Sequence, residues 1–299
     1  MMTKVAAAAY PIAYHASWEA WQEYVEDWVK RAASKKADWL VFPEYGSIEL
    51  VSLLPKAIQS DAYRQIREMQ IFVEGFQNWY TELAKKYDVL IVAPSFPLEV
   101  SSKIINRAWV FTPKGLAGYQ DKFFMTPFEK NEWSVSSSEK ILTVFETEKG
   151  SFGIQICYDG EFAVGSYHLA QNGAQLILHP SCTETIRGAT RVHVGARARA
   201  LENQCYTLVS QTTGEALWTP AADYNYGYCG AYSTPDLGLP EEGIFSVSEH
   251  QKPLWHFQEF DFSLLEKVRE EGGVLNYEDH KTLDYNLKNE EILIRKVKC

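Results

Sequence analysis

The chain has 299 residues, 46% hydrophobic and 23% charged, with a formal net charge of −10. That length is ample for a buried core, as one large domain or two. The acidic balance speaks against a nucleic-acid or anionic-membrane surface: a phosphate backbone needs a basic patch, and this chain offers only short pairs such as Lys35-Lys36 and Lys85-Lys86. No stretch reaches the ~18 apolar residues of a membrane span.

Strand and helix patterns alternate along the chain. Val5 to Ala9 predicts a buried strand. Its apolar run is shorter than the ~7–15 residues of a signal peptide. Ser17 predicts an N-cap for a helix that carries Trp18, Trp21, Val25, Trp28, Val29 and Ala32 at helical spacing. Trp39 to Phe42 predicts a strand. Asp61 predicts the cap of a second long helix, with Met69, Phe72, Val73, Phe76, Tyr80 and Leu83 on one face. Val89 to Ala93 and Ile104 to Phe111 predict strands, and Thr112-Pro113-Lys114-Gly115 a hairpin turn into Ala117 to Gln120. Ile141 to Thr147 and Phe152 to Cys157 flank a Glu148-Lys149-Gly150 turn. A helix after Cys157, a strand at Leu176 to His179, a helix through Val194 to Asn203 and a strand at Tyr206 to Gln211 follow. Hairpins mixed with strand–helix alternation imply an α/β fold with a mixed sheet and helices outside.

Cys157 ends an apolar run and precedes an acidic, glycine-containing turn. A thiol between a buried strand and a helix start meets unpaired N–H groups and the positive end of the dipole, which favour thiolate. Its bland alternative is an inert core thiol. Glu44 closes the strand Trp39-Leu40-Val41-Phe42-Pro43. A carboxylate desolvated there costs several kcal/mol unless paired, and it suits a general base that takes the thiol proton. Burial raises its pKa and a neighbouring lysine lowers it. The segment Pro180-Ser181-Cys182-Thr183-Glu184-Thr185 leaves a buried strand at the same sheet edge. Ligands gather at strand ends in α/β folds, so Ser181, Cys182 and Thr183 are candidate pocket residues, with Tyr45 another. The five cysteines show no Cys-x-x-Cys pair, which implies a reducing, cytoplasmic setting. Neither His-Glu-x-x-His nor a Cys/His quartet occurs, so no metal or cofactor is expected. A papain-like pairing would need His168, His179 or His193 beside Cys157, and the sequence leaves that open.

Six stretches in order carry a family resemblance. They are Pro43-Glu44-Tyr45, an Asn followed by an apolar strand, Gly118-Tyr119-Gln120-Asp121-Lys122, Gly153-Ile154-Gln155-Ile156-Cys157-Tyr158-Asp159, Ala174 to Ser181, and Arg197 to Gln204. Together they resemble the nitrilase superfamily of carbon–nitrogen hydrolases over most of the chain. The resemblance implies a four-layer α-β-β-α sandwich in one domain, residues 1–299. It implies Cys157 as nucleophile, Glu44 as base and Lys122 as the cation that stabilises the tetrahedral intermediate, with the Tyr158 N–H as second oxyanion donor. Glu129 resembles the second glutamate that orients the lysine, with Glu132 its rival. The polar tail 260–299 matches the arms that wrap a partner subunit, and a homodimer or larger homo-oligomer is expected.

Tyr158-Asp159 after the nucleophile resembles amidase-like members, whereas nitrile-cleaving members carry Trp-Glu. The expected substrate is therefore a small amide or N-carbamoyl compound. A nitrile substrate and a non-catalytic binding role on the same fold are the alternatives. Two departures stand out. Ala163-Val164 replaces Pro-Glu, with a structural effect expected. Phe123-Phe124 follows Lys122 where a histidine is usual, which predicts a more apolar pocket mouth.

Overall fold

A computed structural model describes residues 2–289 and 295–297. The chain opens with β1 (Met2–Pro11), α1 (Trp18–Ser34) and β2 (Trp39–Val41). Short α2 (Lys56–Gln59) and α3 (Ala62–Glu68) lead to α4 (Val73–Tyr87) and β3 (Leu90–Val92). Then come β4 (Phe96–Val100), β5 (Lys103–Thr112), β6 (Gly115–Asp121), α5 (Pro127–Asn131), β7 (Val144–Thr147) and β8 (Gly150–Ile154). The second half adds α6 (Ala163–Gln171), β9 (Leu176–Ser181), α7 (Ile186–Asn203), β10 (Tyr206–Glu215), β11 (Tyr224–Asn225) and β12 (Gly230–Tyr232). It closes with β13 (Ile244–Val247), β14 (Leu254–Asp261), α8 (Phe262–Glu271) and α9 (Asn276–Asn289).

The strands join in the order β4-β5-β3-β2-β1-β10-β9-β8-β7. The run β3-β2-β1-β10-β9-β8 is parallel throughout. β1 is the seam, and period-two alternation gives it two apolar faces. Ala6, Ala8 and Tyr10 join one core with Trp21, Val25, Trp28, Phe76 and Tyr80 of α1 and α4. Val5, Ala7 and Ala9 join a second core, where Trp39, Val92 and Val110 meet Phe152, Leu178 and Leu208 from the other half of the sheet. The sheet is thus folded on itself, with helices outside each half. This is the α-β-β-α sandwich.

Local signals explain most of the elements. Ser17 caps α1 by accepting the Ala20 N–H, and Trp21, Val25, Trp28, Val29 and Ala32 form its buried stripe. Asp61 does cap a helix, but α3 stops at Glu68 and a 3₁₀ turn over Met69–Phe72 separates it from α4. The expected single long helix is two helices. Apolar spacing runs on through the break, so periodicity alone does not reveal it.

The expected arm at 260–299 is corrected for its first part. β14 pairs antiparallel with β1 from Met2↔Asp261 to Ala9↔Leu254. Phe260, Phe262, Leu265 and Val268 are buried in the second core of their own chain. Arg269 ties α8 down by donating to the Gln204 carbonyl at 2.8 Å. The strand was hidden because both faces of Leu254–Asp261 mix apolar and polar residues, Leu254 and Phe260 with His256 and Gln258, Trp255 and Phe257 with Glu259 and Asp261. Residues 290–294 and 298–299 of the proposed arm lie outside the described residues.

Candidate active site

Parallel strands aim their C-terminal ends at one place, and the loops beyond them bring together residues far apart in sequence. Glu44 follows β2, Lys122 follows β6, Cys157 follows β8 and Cys182 follows β9. The Lys122 ammonium donates to Glu44 Oε1 and to Glu129 Oε2, each at 2.7 Å. All three side chains are buried.

Glu129 is held by the first turn of α5. Thr126 caps that helix, and the Thr126 N–H and hydroxyl return bonds of 2.8 and 2.9 Å to Glu129 Oε2. The Tyr45 hydroxyl donates to Glu129 Oε1 at 2.7 Å. This is a capping box in which the glutamate also serves the lysine. Glu132, the rival, is the exposed C-cap of the same short helix. Glu44 accepts the Asn106 amide at Oε1 (2.9 Å) and the Cys182 N–H at Oε2 (2.9 Å).

These partners set the charges. Burial raises the Glu44 pKa and outweighs the Lys122 charge, so its carboxylate takes a proton readily. Burial also pushes Glu129 up, but the Lys122 charge and the hydrogen bonds from Lys122, Thr126 and Tyr45 win, and its pKa falls below the ordinary value. Burial works against the Lys122 ammonium, yet two carboxylates hold its pKa well above normal. The result is a fixed cation between a firm anion, Glu129, and a proton-accepting carboxylate, Glu44.

Cys157 sits at the edge of this network, close enough to Glu44 and Lys122 for their charges to bear on its thiol. The Sγ is also 3.8 Å from the Cys182 carbonyl. The expected thiolate is corrected. Burial and the Glu44 charge push the Cys157 pKa well up, and Lys122 offsets only part of this. Nor does the thiol head a long helix: it opens a 3₁₀ turn, Cys157–Glu161, and α6 starts only at Ala163. Cys157 and Tyr45 both adopt left-handed backbone, at φ 49° and 55°. Such strain in non-glycine residues clusters at functional sites.

A cavity of about 430 Å³ opens over these groups. Tyr45, Tyr158, Cys182 and Thr183 line it, as do Trp133, Phe128, Tyr224 and Glu184. At its rim the Arg191 guanidinium is paired with Glu161 through Nε (3.0 Å) and Nη2. Ser181 is a correction. It is the last residue of β9, fully buried, and its hydroxyl turns back to the His179 carbonyl at 3.2 Å. The apolar mouth expected from Phe123-Phe124 is also corrected. Neither residue lines the cavity, and Phe124 packs on Phe162 with ring centroids 4.2 Å apart.

None of the three histidines is a partner of Cys157 in the hydrogen bonds of the described residues. His193 contacts the Tyr232 hydroxyl and Gln211, and His179 lies against Gly160. Asn106 heads the apolar strand of the family stretch, but the sequence assigned it no place in the site. It bonds Glu44, and its Nδ2 is 3.5 Å from Glu129 Oε1. Asp159, two residues past Cys157, marked the amidase-like branch in the sequence but was given no role in the site.

Residues 4–248 match the carbon–nitrogen hydrolase family, and the chain belongs to that family, within the nitrilase superfamily. "Probable hydrolase YhcX" of Bacillus subtilis is 33% identical over 272 residues, covering 91% of this chain and 52% of that protein. A chloroplastic omega-amidase of Arabidopsis thaliana is 28% identical over 196 residues, covering 63% of this chain and 50% of its own length. The chain thus spans about half the length of these curated relatives. Among solved structures, a carbon–nitrogen hydrolase from Helicobacter pylori G27 superposes with a TM-score of 0.77 at 16% identity, covering 96% and 98% of the two chains. A variant amidase from Nesterenkonia sp. AN1, bearing the acetamide moiety of fluoroacetamide on its active-site cysteine, superposes with a TM-score of 0.72 at 16% identity, covering 95% and 96%. These likenesses place the fold. The family match ends before β14 and α8, which complete the core in this chain.

Proposed function

We propose that this chain hydrolyses the carbon–nitrogen bond of a small amide or N-carbamoyl compound through a thioester on Cys157. The observation that carries the reading is the Lys122 ammonium, held at 2.7 Å from both Glu44 and Glu129 beneath a cavity that also exposes Cys157. In the first step the thiol sulfur bonds to the carbonyl carbon and its proton passes to Glu44. The carbonyl π pair moves onto oxygen. Lys122 and the Tyr158 N–H, the backbone amide that follows the nucleophile, take up that charge. The oxyanion then collapses, the C–N bond breaks, and Glu44 returns the proton to the leaving nitrogen. Water, losing its proton to Glu44, attacks the thioester and frees the acid and the thiol.

A raised Glu44 pKa fits both halves of this cycle, since one group must accept and then donate. The neutral resting thiol fits as well, because the proton to be moved starts on sulfur. The Nesterenkonia amidase, whose cysteine takes up an acetamide moiety, and the omega-amidase relatives support an amide over a nitrile. The cavity volume of about 430 Å³ suits a small substrate. The test is an ammonia and amine assay on matched amide, N-carbamoyl and nitrile substrates. Release from amides or N-carbamoyl compounds at rates far above the nitrile is expected. Turnover of nitriles alone would overturn the substrate class.

A further inference from the structure

Lys122 and Cys157 are 35 residues apart in the chain, and the proposed reaction needs them fixed to one another. On one side the backbone holds Lys122: its N–H donates to the Asn106 carbonyl at 2.9 Å. On the other side stands the Asp159 carboxylate. Asp159 Oδ1 accepts the Phe124 N–H at 2.7 Å and the Phe123 N–H at 3.1 Å, and Oδ2 accepts the Phe123 N–H at 3.0 Å. Asp159 is 1% exposed and belongs to the same 3₁₀ turn as Cys157.

We infer that Asp159 is a positioning residue that locks the segment carrying Lys122 to the turn carrying Cys157. The connection is short. It runs from Lys122 to the next two amides, across the carboxylate, and back two residues to the thiol. The turn is itself anchored from behind. A Cβ on Gly160 would stand 2.5 Å from His179 Nδ1, and one on Gly195 would stand 2.9 Å from the Gly160 carbonyl oxygen. Arg199 Nη1 donates to that same carbonyl at 3.3 Å. The turn is therefore rigid against β9 and α7, and Asp159 is the group that carries this rigidity to Lys122. Lys140 steadies the far side, donating to the Phe123 carbonyl at 2.7 Å.

A carboxylate that only satisfied two stray amides could be removed without slowing the reaction. One that sets the Lys122-to-Cys157 distance cannot, because a misplacement near 1 Å costs about 10²-fold in a reaction between positioned groups. The inference rests on the proposed thioester chemistry, and the experiment separates the two. Single-turnover kinetics with the full chain in excess over a small amide give a rate constant that does not depend on the fraction of inactive protein.

Asp159→Ala is expected to lower that rate constant about 10²-fold, with half-saturation changed less than about threefold. Asp159→Asn keeps one acceptor oxygen and is expected to recover most of the loss, within about tenfold of the parent. A wild-type rate constant in Asp159→Ala overturns the inference, as does Asp159→Asn no faster than Asp159→Ala. Should Asp159→Ala fail to fold, hydrogen exchange of the unaltered protein decides. Slow exchange at the Phe123 and Phe124 amides supports the lock, and exchange at the rate of an open loop overturns it. No turnover of any amide by the parent protein would instead sink the thioester reading.

Discussion

A thiol whose pKa is pushed up by burial attacks only if its proton has somewhere to go. Glu44 is the proposed acceptor, so Glu44→Gln is expected to cut kcat by about 10²–10⁴-fold, the usual worth of a general base. Steady-state kinetics on the best amide check this, and a loss under tenfold would show that another group moves the proton. Lys122→Met keeps the stem and removes the charge. It should lower kcat about 10²–10³-fold with a smaller change in KM, because the cation matters most once the oxyanion forms. An unchanged kcat would reduce Lys122 to a brace between two glutamates. At this scale the sequence pointed to the site where a reactive residue type closes an apolar run, as at Glu44 and Cys157, whereas Lys122 came from the family resemblance alone. The sequence was silent where function is carried by an interior amide, Asn106, or a backbone N–H, that of Cys182. Ser181 misled because the strand turns its hydroxyl back, while the next residue's amide faces Glu44.

Elements that lack a clean hydrophobic pattern proved structural all the same. β14 and α8 close the second core, although the sequence from residue 260 reads as polar. Leu265 is fully buried, so Leu265→Ala should destabilise the fold by about 2–5 kcal/mol. Urea unfolding measures it, and a change below about 0.5 kcal/mol would mean that α8 is an appendage after all. The α3–α4 break shows the opposite limit. Helical periodicity carried correctly across Met69–Phe72 while the backbone changed hand-hold. Residues pointing into a core keep their spacing through one tight turn, so the pattern predicts the face and not the join. The first helix was fully legible because cap, stripe and end agree.

At the scale of the whole molecule, two buried histidines tie stability to pH. Burial, with the Arg199 charge second, lowers His179 to about 3, and burial lowers His193 to about 4. Both sit below the ~6.5 of an exposed imidazole. The unfolded chain therefore binds protons that the folded chain refuses, and the stability these groups contribute is present above pH ~6.5 and drains away as the pH falls toward 3–4. His179→Leu should flatten that loss by up to about 1.4 kcal/mol per pH unit. Denaturation curves between pH 7 and 4 test it, and parallel slopes for parent and variant would contradict it. Assembly is read from the outer helices. Ile186, Val194 and Leu201 of α7 and Val164 of α6 are exposed apolar side chains, and a second copy is the expected cover, since isologous pairing is the commonest soluble assembly. Light scattering should report a multiple of 34.1 kDa, and a fully active monomer would contradict it. The central claim is the covalent step, and intact-mass spectrometry after rapid quench with a small amide tests it most directly. The account predicts an acyl adduct that maps to Cys157, forms with release of ammonia or amine, and is absent in Cys157→Ala. Amide turnover at parental rate by Cys157→Ala, or an adduct confined to another residue, would contradict it.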